Sequence, residues 1–141
     1  MSLIDRIAKQ NEAILLLLGR LLLAVLFIPS GYGKLLDLAR FGSVLASRGV
    51  PMGTAAAPVA AAVEFLGGLV ILLGFKTRWA ALLMIGFTIV ASLISHRYWE
   101  FTDAAARTAQ YINFWKNMSI IGGFVLLLAR GPGRLSVDRT D

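Results

Sequence analysis

Residues 113–117 read Asn-Phe-Trp-Lys-Asn. In a helix, Asn113, Lys116 and Asn117 stand at i, i+3 and i+4 and share one face. One cation and two amides on a stripe can donate hydrogen bonds to a ligand's oxygen atoms. Phe114 and Trp115 beside them can wall a ring. Two other groups can relay protons: Glu64 and the single histidine, His96. Carboxylate and imidazole are the usual acid–base types. Arg20 and Lys34 add charges in or beside a long apolar stretch. Each residue also has a structural reading. Lys116 can extend its stem to a membrane surface. Amides and charges can fix helix register as assembly glue.

Metal chemistry is not expected. The chain has no cysteine and one histidine. Disulfides, thiol catalysis and Cys-based zinc or iron–sulfur ligation are excluded. Too few ligands remain for a protein-only metal site or a bis-imidazole haem. A redox role therefore needs a bound cofactor.

The 141 residues are 57% hydrophobic and 16% charged. Soluble domains carry about 45–50% and about 25%, so the excess apolar content points to a membrane protein. One domain, residues 1–141, is the natural count at this length. The net charge of +6 is spread between apolar blocks, with no basic run or recognition motif. That is the pattern of membrane flanks, and nucleic acid is not an expected partner.

Four apolar blocks predict four spans, at about 13–33, 55–74, 79–95 and 112–129, in an all-α membrane bundle. The first block is too long for a signal peptide core of about 7–15 residues. Pro29 predicts a kink in it. Arg20, Phe27 and Lys34, spaced by seven, fall on roughly one face. Gly31-Tyr32-Gly33-Lys34 is not a phosphate loop, because Leu35 stands where Ser or Thr is needed. Residues 35–49 are amphipathic and end at Gly49 and Pro51. They predict a short helix on the membrane surface or over the bundle mouth. In the second span Glu64, Gly67, Gly68 and Ile71 share a face, so a neighbouring helix can approach closely there. The His96-Arg-Tyr-Trp99 run has the makeup of an interfacial aromatic belt. Thr102-Asp103 predicts a separate short helix to Gln110 ahead of the fourth span.

Four spans put both termini on one side. Basic residues there outnumber those on the other side seven to five, counting Arg139. The bias predicts cytoplasmic termini. Counting about 1.5 Å per residue places Lys34, His96 and Asn113 at the far rim, Lys116 and Asn117 roughly 5–9 Å below it, Glu64 roughly 13 Å and Arg20 roughly 20 Å below. All four spans then supply polar groups to one outward half. A ligand cavity and a purely structural network both fit. The depths predict Lys116 as the first ionic partner of Glu64 and Arg20 as the second.

The order and spacing of several pieces resemble the DoxX family of small bacterial membrane proteins, near its YphA-like inner-membrane branch. The pieces are Arg20, Gly31 to Lys34, Glu64-Phe-Leu-Gly-Gly, Leu73-Gly-Phe-Lys-Thr-Arg78, His96-Arg-Tyr-Trp99, Asn113-Phe-Trp-Lys-Asn117 with Gly122-Gly123, and Gly131-Pro-Gly-Arg-Leu-Ser-Val-Asp138. The resemblance covers nearly the whole chain. It implies a four-helix membrane fold, and an association with quinone-linked oxidoreductase, thiosulfate-oxidation or oxidative-stress systems. It implies no agreed catalytic set.

Three functional readings remain. The chain is a quinone- or quinol-binding subunit, with electrons supplied by a redox partner protein or by the substrate. Or it binds or transports a lipid or other small hydrophobic molecule. Or it is an assembly subunit or homo-oligomer in the bilayer whose polar network is structural.

Overall fold

The computed structural model describes residues 1–138. Arg139, one of the basic residues counted for topology, lies outside them. The order is α1 (Leu3–Gln10), α2 (Glu12–Leu36), α3 (Leu38–Ser47), α4 (Gly53–Leu73), α5 (Thr77–Ser95), a 3-10 turn at Tyr98–Glu100, and α6 (Ala104–Arg130). No strand occurs among the described residues. Four helices, α2, α4, the α5 segment and α6, are long and apolar enough to cross a membrane. They are the expected spans.

Local chemistry sets the boundaries. Ser2 and Asp5 form a reciprocal capping box that starts α1. Asp37 caps α3 through the Arg40 amide at 3.0 Å. Asp103 caps α6 through the Ala106 amide at 2.8 Å. α6 begins where Thr102-Asp103 predicted a helix, but it is continuous to Arg130. Residues 104–121 contain neither Gly nor Pro. Nothing there breaks the helix, so the separate short helix does not form. α2 likewise runs through Pro29.

α2 packs most extensively on α4, and α5 on α6. Gly31 makes the first pairing close: a methyl group there would lie 2.5 Å from the Phe65 nitrogen. The Glu64, Gly67, Gly68 and Ile71 face is buried as expected. Gly68 abuts Phe27 and Ile28 of α2, and Gly67 abuts Met84 of α5. α4 is therefore gripped from both sides. Phe27, Ile71, Met84, Phe124 and Leu127 form the apolar centre. Arg20, Ala24, Phe27 and Gly31 are the buried positions of α2, which is the face that the spacing of seven predicted.

α3 does not drift on the surface. Gly42 lies on Thr54, and Gly53 on Ala46, so α3 folds back against the start of α4. Arg48 donates to the Ser95 carbonyl at 2.9 Å, and Arg97 to the Arg48 carbonyl at 3.0 Å. These bonds tie α3 to the end of α5 across the bundle mouth.

At the opposite end the segment after α6 turns back under the bundle. Val137 and Asp138 amides donate to the Leu73 and Gly74 carbonyls, both at 3.0 Å. The Asp138 carboxylate accepts from the Lys76 and Thr77 amides, both at 2.9 Å, and from the Thr77 hydroxyl at 3.1 Å. It caps α5 from 61 residues away. The Thr77 amide, foremost, holds the Asp138 carboxyl below its ordinary range.

Candidate functional site

Five of the nine predicted site residues line one chamber of about 210 Å³: Lys34, Glu64, His96, Lys116 and Asn117. Phe27, Phe87, Thr88, Ala91, Ser95, Ser30 and Leu26 complete its wall. All four spanning elements contribute. The chamber lies between the apolar centre and the mouth crossed by α3.

Glu64 is 5% exposed and pairs with Lys34 at 2.5 Å. Lys116 instead donates to Asn113 Oδ1 at 2.9 Å on its own helix. The expected Glu64–Lys116 pair is therefore replaced by Glu64–Lys34. Helix stagger is the reason. With Gly31 against Phe65, the antiparallel pair runs so that Leu36 is level with Ala60. The first turns of α4 extend past the end of α2, where α3 covers them. Depth counted from a flush rim set Glu64 too far from Lys34. Lys34 also stands 5.2 Å from the centroid of the Phe41 ring, within cation–π range.

Arg20 belongs to the other end. It is 1% exposed and donates to the Leu72 carbonyl at 2.7 Å and to the Leu135 carbonyl. Both acceptors lie at the terminal side, so Arg20 is neither a partner of Glu64 nor a wall of the chamber. Its role is to bind the last turn of α4 to the segment after α6.

Asn113, Phe114 and Trp115 are also outside the chamber. Asn113 holds Lys116. Phe114 and Trp115 join Tyr98, Trp99 and Tyr111 in an edge-to-face cluster, with Tyr98 5.1 Å from Trp99 and Tyr111 and 5.6 Å from Phe114. Such arrangements suit the ring quadrupoles. The rings that face the chamber are Phe27 and Phe87.

His96 ends α5, and its Nδ1 lies 2.8 Å from Gln110 Oε1. With an amide oxygen as acceptor, Nδ1–H is the donor of this bond. Asn117 donates to the Ser92 hydroxyl at 2.9 Å, Ser92 to the Thr88 carbonyl at 2.6 Å, and Thr88 to the Met84 carbonyl at 2.7 Å. This ladder was not foreseen. Its signal was the i, i+4 spacing of Thr88 and Ser92, with His96 four further on, in an apolar helix.

The chamber thus offers two ammonium groups, one carboxylate, an imidazole and an amide to an occupant. Its volume equals roughly seven waters at about 30 Å³ each. Pockets for drug-sized molecules run from about 300 Å³ upward, so the space suits a head group whose apolar remainder lies elsewhere. Among the described residues no three His, Cys, Asp or Glu side chains cluster as metal ligands.

A model of the DoxX family matches residues 15–97, which carry Lys34, Glu64 and His96. The chain belongs to the DoxX family. The SURF4 family model matches residues 59–141, which hold Glu64, His96 and the Asn113–Asn117 stretch. Among DoxX-like relatives, inner membrane protein YphA of Escherichia coli is 40% identical over 126 residues, 89% of each chain. Inner membrane protein YqjF of the same organism is 37% identical over 131 residues, 93% of this chain and 95% of its own. The ER-derived vesicles protein ERV29 of Saccharomyces cerevisiae is 27% identical over 88% of this chain, which spans 33% of the yeast protein. No solved structure matches.

Proposed function

We propose that this DoxX-family membrane protein binds the oxygen-bearing head of a small hydrophobic molecule, a quinone or quinol, in the outward chamber. The observation that supports this is the convergence of Lys34, Glu64, His96, Lys116 and Asn117 on one small space walled by Phe27 and Phe87. The ammonium and amide groups donate to ring oxygens. Glu64 and His96 exchange protons with them. The chain itself supplies no electron carrier, so electrons come from the substrate or from a redox partner protein. Inner-membrane residence follows the YphA and YqjF relatives.

A short-chain quinone titrated calorimetrically into the purified protein is expected to bind one per chain. Ala91→Phe fills the chamber and is expected to weaken binding by at least about 10-fold, or about 1.4 kcal/mol. Phe114→Leu, in the rim cluster, is expected to leave affinity within about twofold, under 0.5 kcal/mol. Undiminished binding in a folded Ala91→Phe variant removes the chamber from the reading.

We place the termini in the cytoplasm, on the basic-residue bias. The chain has no cysteine, so single cysteines at Ser2, Ser47 and Thr108, all exposed, report sidedness. A membrane-impermeant thiol reagent added outside intact cells is expected to label positions 47 and 108. Labelling at position 2 alone inverts the orientation.

A further inference from the structure

We infer that the terminal-side end of the seam between α2 and α6 binds one anionic phospholipid of the adjacent leaflet, its phosphate at Lys9 and Arg134 and an acyl chain between the two helices. The upper end of the groove reaches Lys116, which also lines the outward chamber. The phosphate site lies at the opposite, terminal-side end and is independent of the function proposed for the chamber.

The seam is the loose side of the bundle. α2 and α6 meet at Phe27–Phe124, 5.6 Å between ring centroids, and where Gly123 faces Leu23. Beyond that contact a methyl group placed on Gly19 would meet no atom within 4 Å. An apolar groove of about 490 Å³ runs there, lined by Leu15, Leu16, Gly19, Leu23, Ile120 and Leu127. From Lys116 to Arg130 it extends about 21 Å at 1.5 Å per residue. One leaflet supplies half of a hydrocarbon core of about 30 Å, so the groove is deep enough for one acyl chain of that leaflet.

The groove opens into a polar cleft of about 340 Å³ formed by Lys9, Glu12, Arg130, Gly133 and Arg134. Leu16 and Arg130 line both spaces, so the two are continuous. Three cations meet one acid. Glu12 pairs with Arg130, and among the described residues of the cleft no second acid faces Lys9 and Arg134. A phosphodiester supplies the missing negative charge. Basic pockets between spanning helices are suited to such head groups.

α1 fixes the level. Every residue of α1 is exposed, and Leu3, Ile4 and Ile7 are 64%, 71% and 47% exposed. Among the described residues none buries this apolar side. An amphipathic helix of this kind lies in the interface with its apolar face in the acyl boundary. Lys9, at its end, then stands among the phosphates.

The test is lipid retention, read by native mass spectrometry after release from nanodiscs of equimolar phosphatidylglycerol and phosphatidylcholine. The parent is expected to retain one phosphatidylglycerol with a preference of about 30-fold, on the scale of two basic groups near an anionic surface. The double variant Lys9→Gln/Arg134→Gln is expected to lose the preference without a change in melting temperature. Gly19→Phe points into open space and is expected to lower retention of both lipids. Ala91→Phe, at the outward chamber, is expected to leave retention unchanged. Equal retention of the two lipids by the parent overturns the site, as does a preference that survives the double variant. Inorganic phosphate displacing the phospholipid at equal concentration identifies a free-anion cleft and also overturns it.

Discussion

Arg20→Ala is expected to destabilise the protein by about 3–5 kcal/mol, the scale for stranding the partners of a buried charge. The guanidinium is 1% exposed and serves two acceptors from distant parts of the chain. Leu72 lies in the last turn of α4, where carbonyls lack an intrahelical partner. Leu135 lies in the segment that turns back under the bundle. A hydrogen bond to a charged group contributes about 1.5–3 kcal/mol, and its loss leaves the buried carbonyl unsatisfied. Truncation also opens a void beside Gly74, whose position lies against the Arg20 head. Relief of the arginine's own desolvation offsets part of the loss, which is why the larger sums of these terms are not expected. Arg20→Lys keeps a cation but cannot fork to two carbonyls, so an intermediate loss is expected. Unfolding by denaturant in mild detergent gives the energies. Amide exchange gives the location: the Val137 and Asp138 amides, bonded to Leu73 and Gly74, should lose protection first. A loss under about 1 kcal/mol with those amides still protected contradicts the assigned role.

The same arginine shows how far the sequence is legible. Periodicity identified its face, because a span built at 3.6 residues per turn keeps positions 20, 27 and 34 roughly aligned. The four spans, the α3 helix and the buried Glu64–Gly67–Gly68 stripe were legible for the same reason: each is a one-dimensional pattern of apolar and small residues. Partnership was not. It depends on how far two helices slide past one another, and that is set by the close contacts of Gly31 with Phe65 and of Gly68 with Phe27 and Ile28. A glycine in a sequence announces close approach without naming the residue approached. The slide brings Lys34 to Glu64 and sends Arg20 to Leu72. Rotation was equally hidden at Phe114 and Trp115. They adjoin Lys116 in sequence, but turn to Tyr98 and Tyr111, while Asn117 turns to Ser92. The cap that Asp138 places on α5 was beyond reach, since a donor–acceptor pair separated by 61 residues leaves no local trace.

Lys34→Met is expected to cost about 2–3 kcal/mol, below the full value for breaking a buried pair because one partner is partly wetted. The side chains are 33% exposed for Lys34 and 6% for Glu64. That asymmetry decides which single change hurts more. Without Lys34, a carboxylate remains buried beside Gly67 and Gly68. Without Glu64, the ammonium still has the Phe41 ring and the nearby rim. Glu64→Gln keeps an acceptor for the ammonium and is expected to cost only about 1 kcal/mol. Lys34→Met together with Glu64→Leu removes both charges, and apolar replacement of a buried pair is often neutral. The double variant should therefore melt near the parent, with a coupling of at least about 1.5 kcal/mol. Lys116→Met with Glu64→Leu should instead be additive within about 0.5 kcal/mol, because Lys116 bonds Asn113. Greater coupling to Lys116 than to Lys34 reverses the assignment. Stability and binding separate in the same set of variants. If the Lys34→Met/Glu64→Leu protein regains its melting temperature but no longer takes up the short-chain quinone, the pair serves the chamber as well as the fold. If it binds as the parent does, the ion pair only aligns α2 with α4, and Asn117, His96 and Lys116 are left to hold the head group.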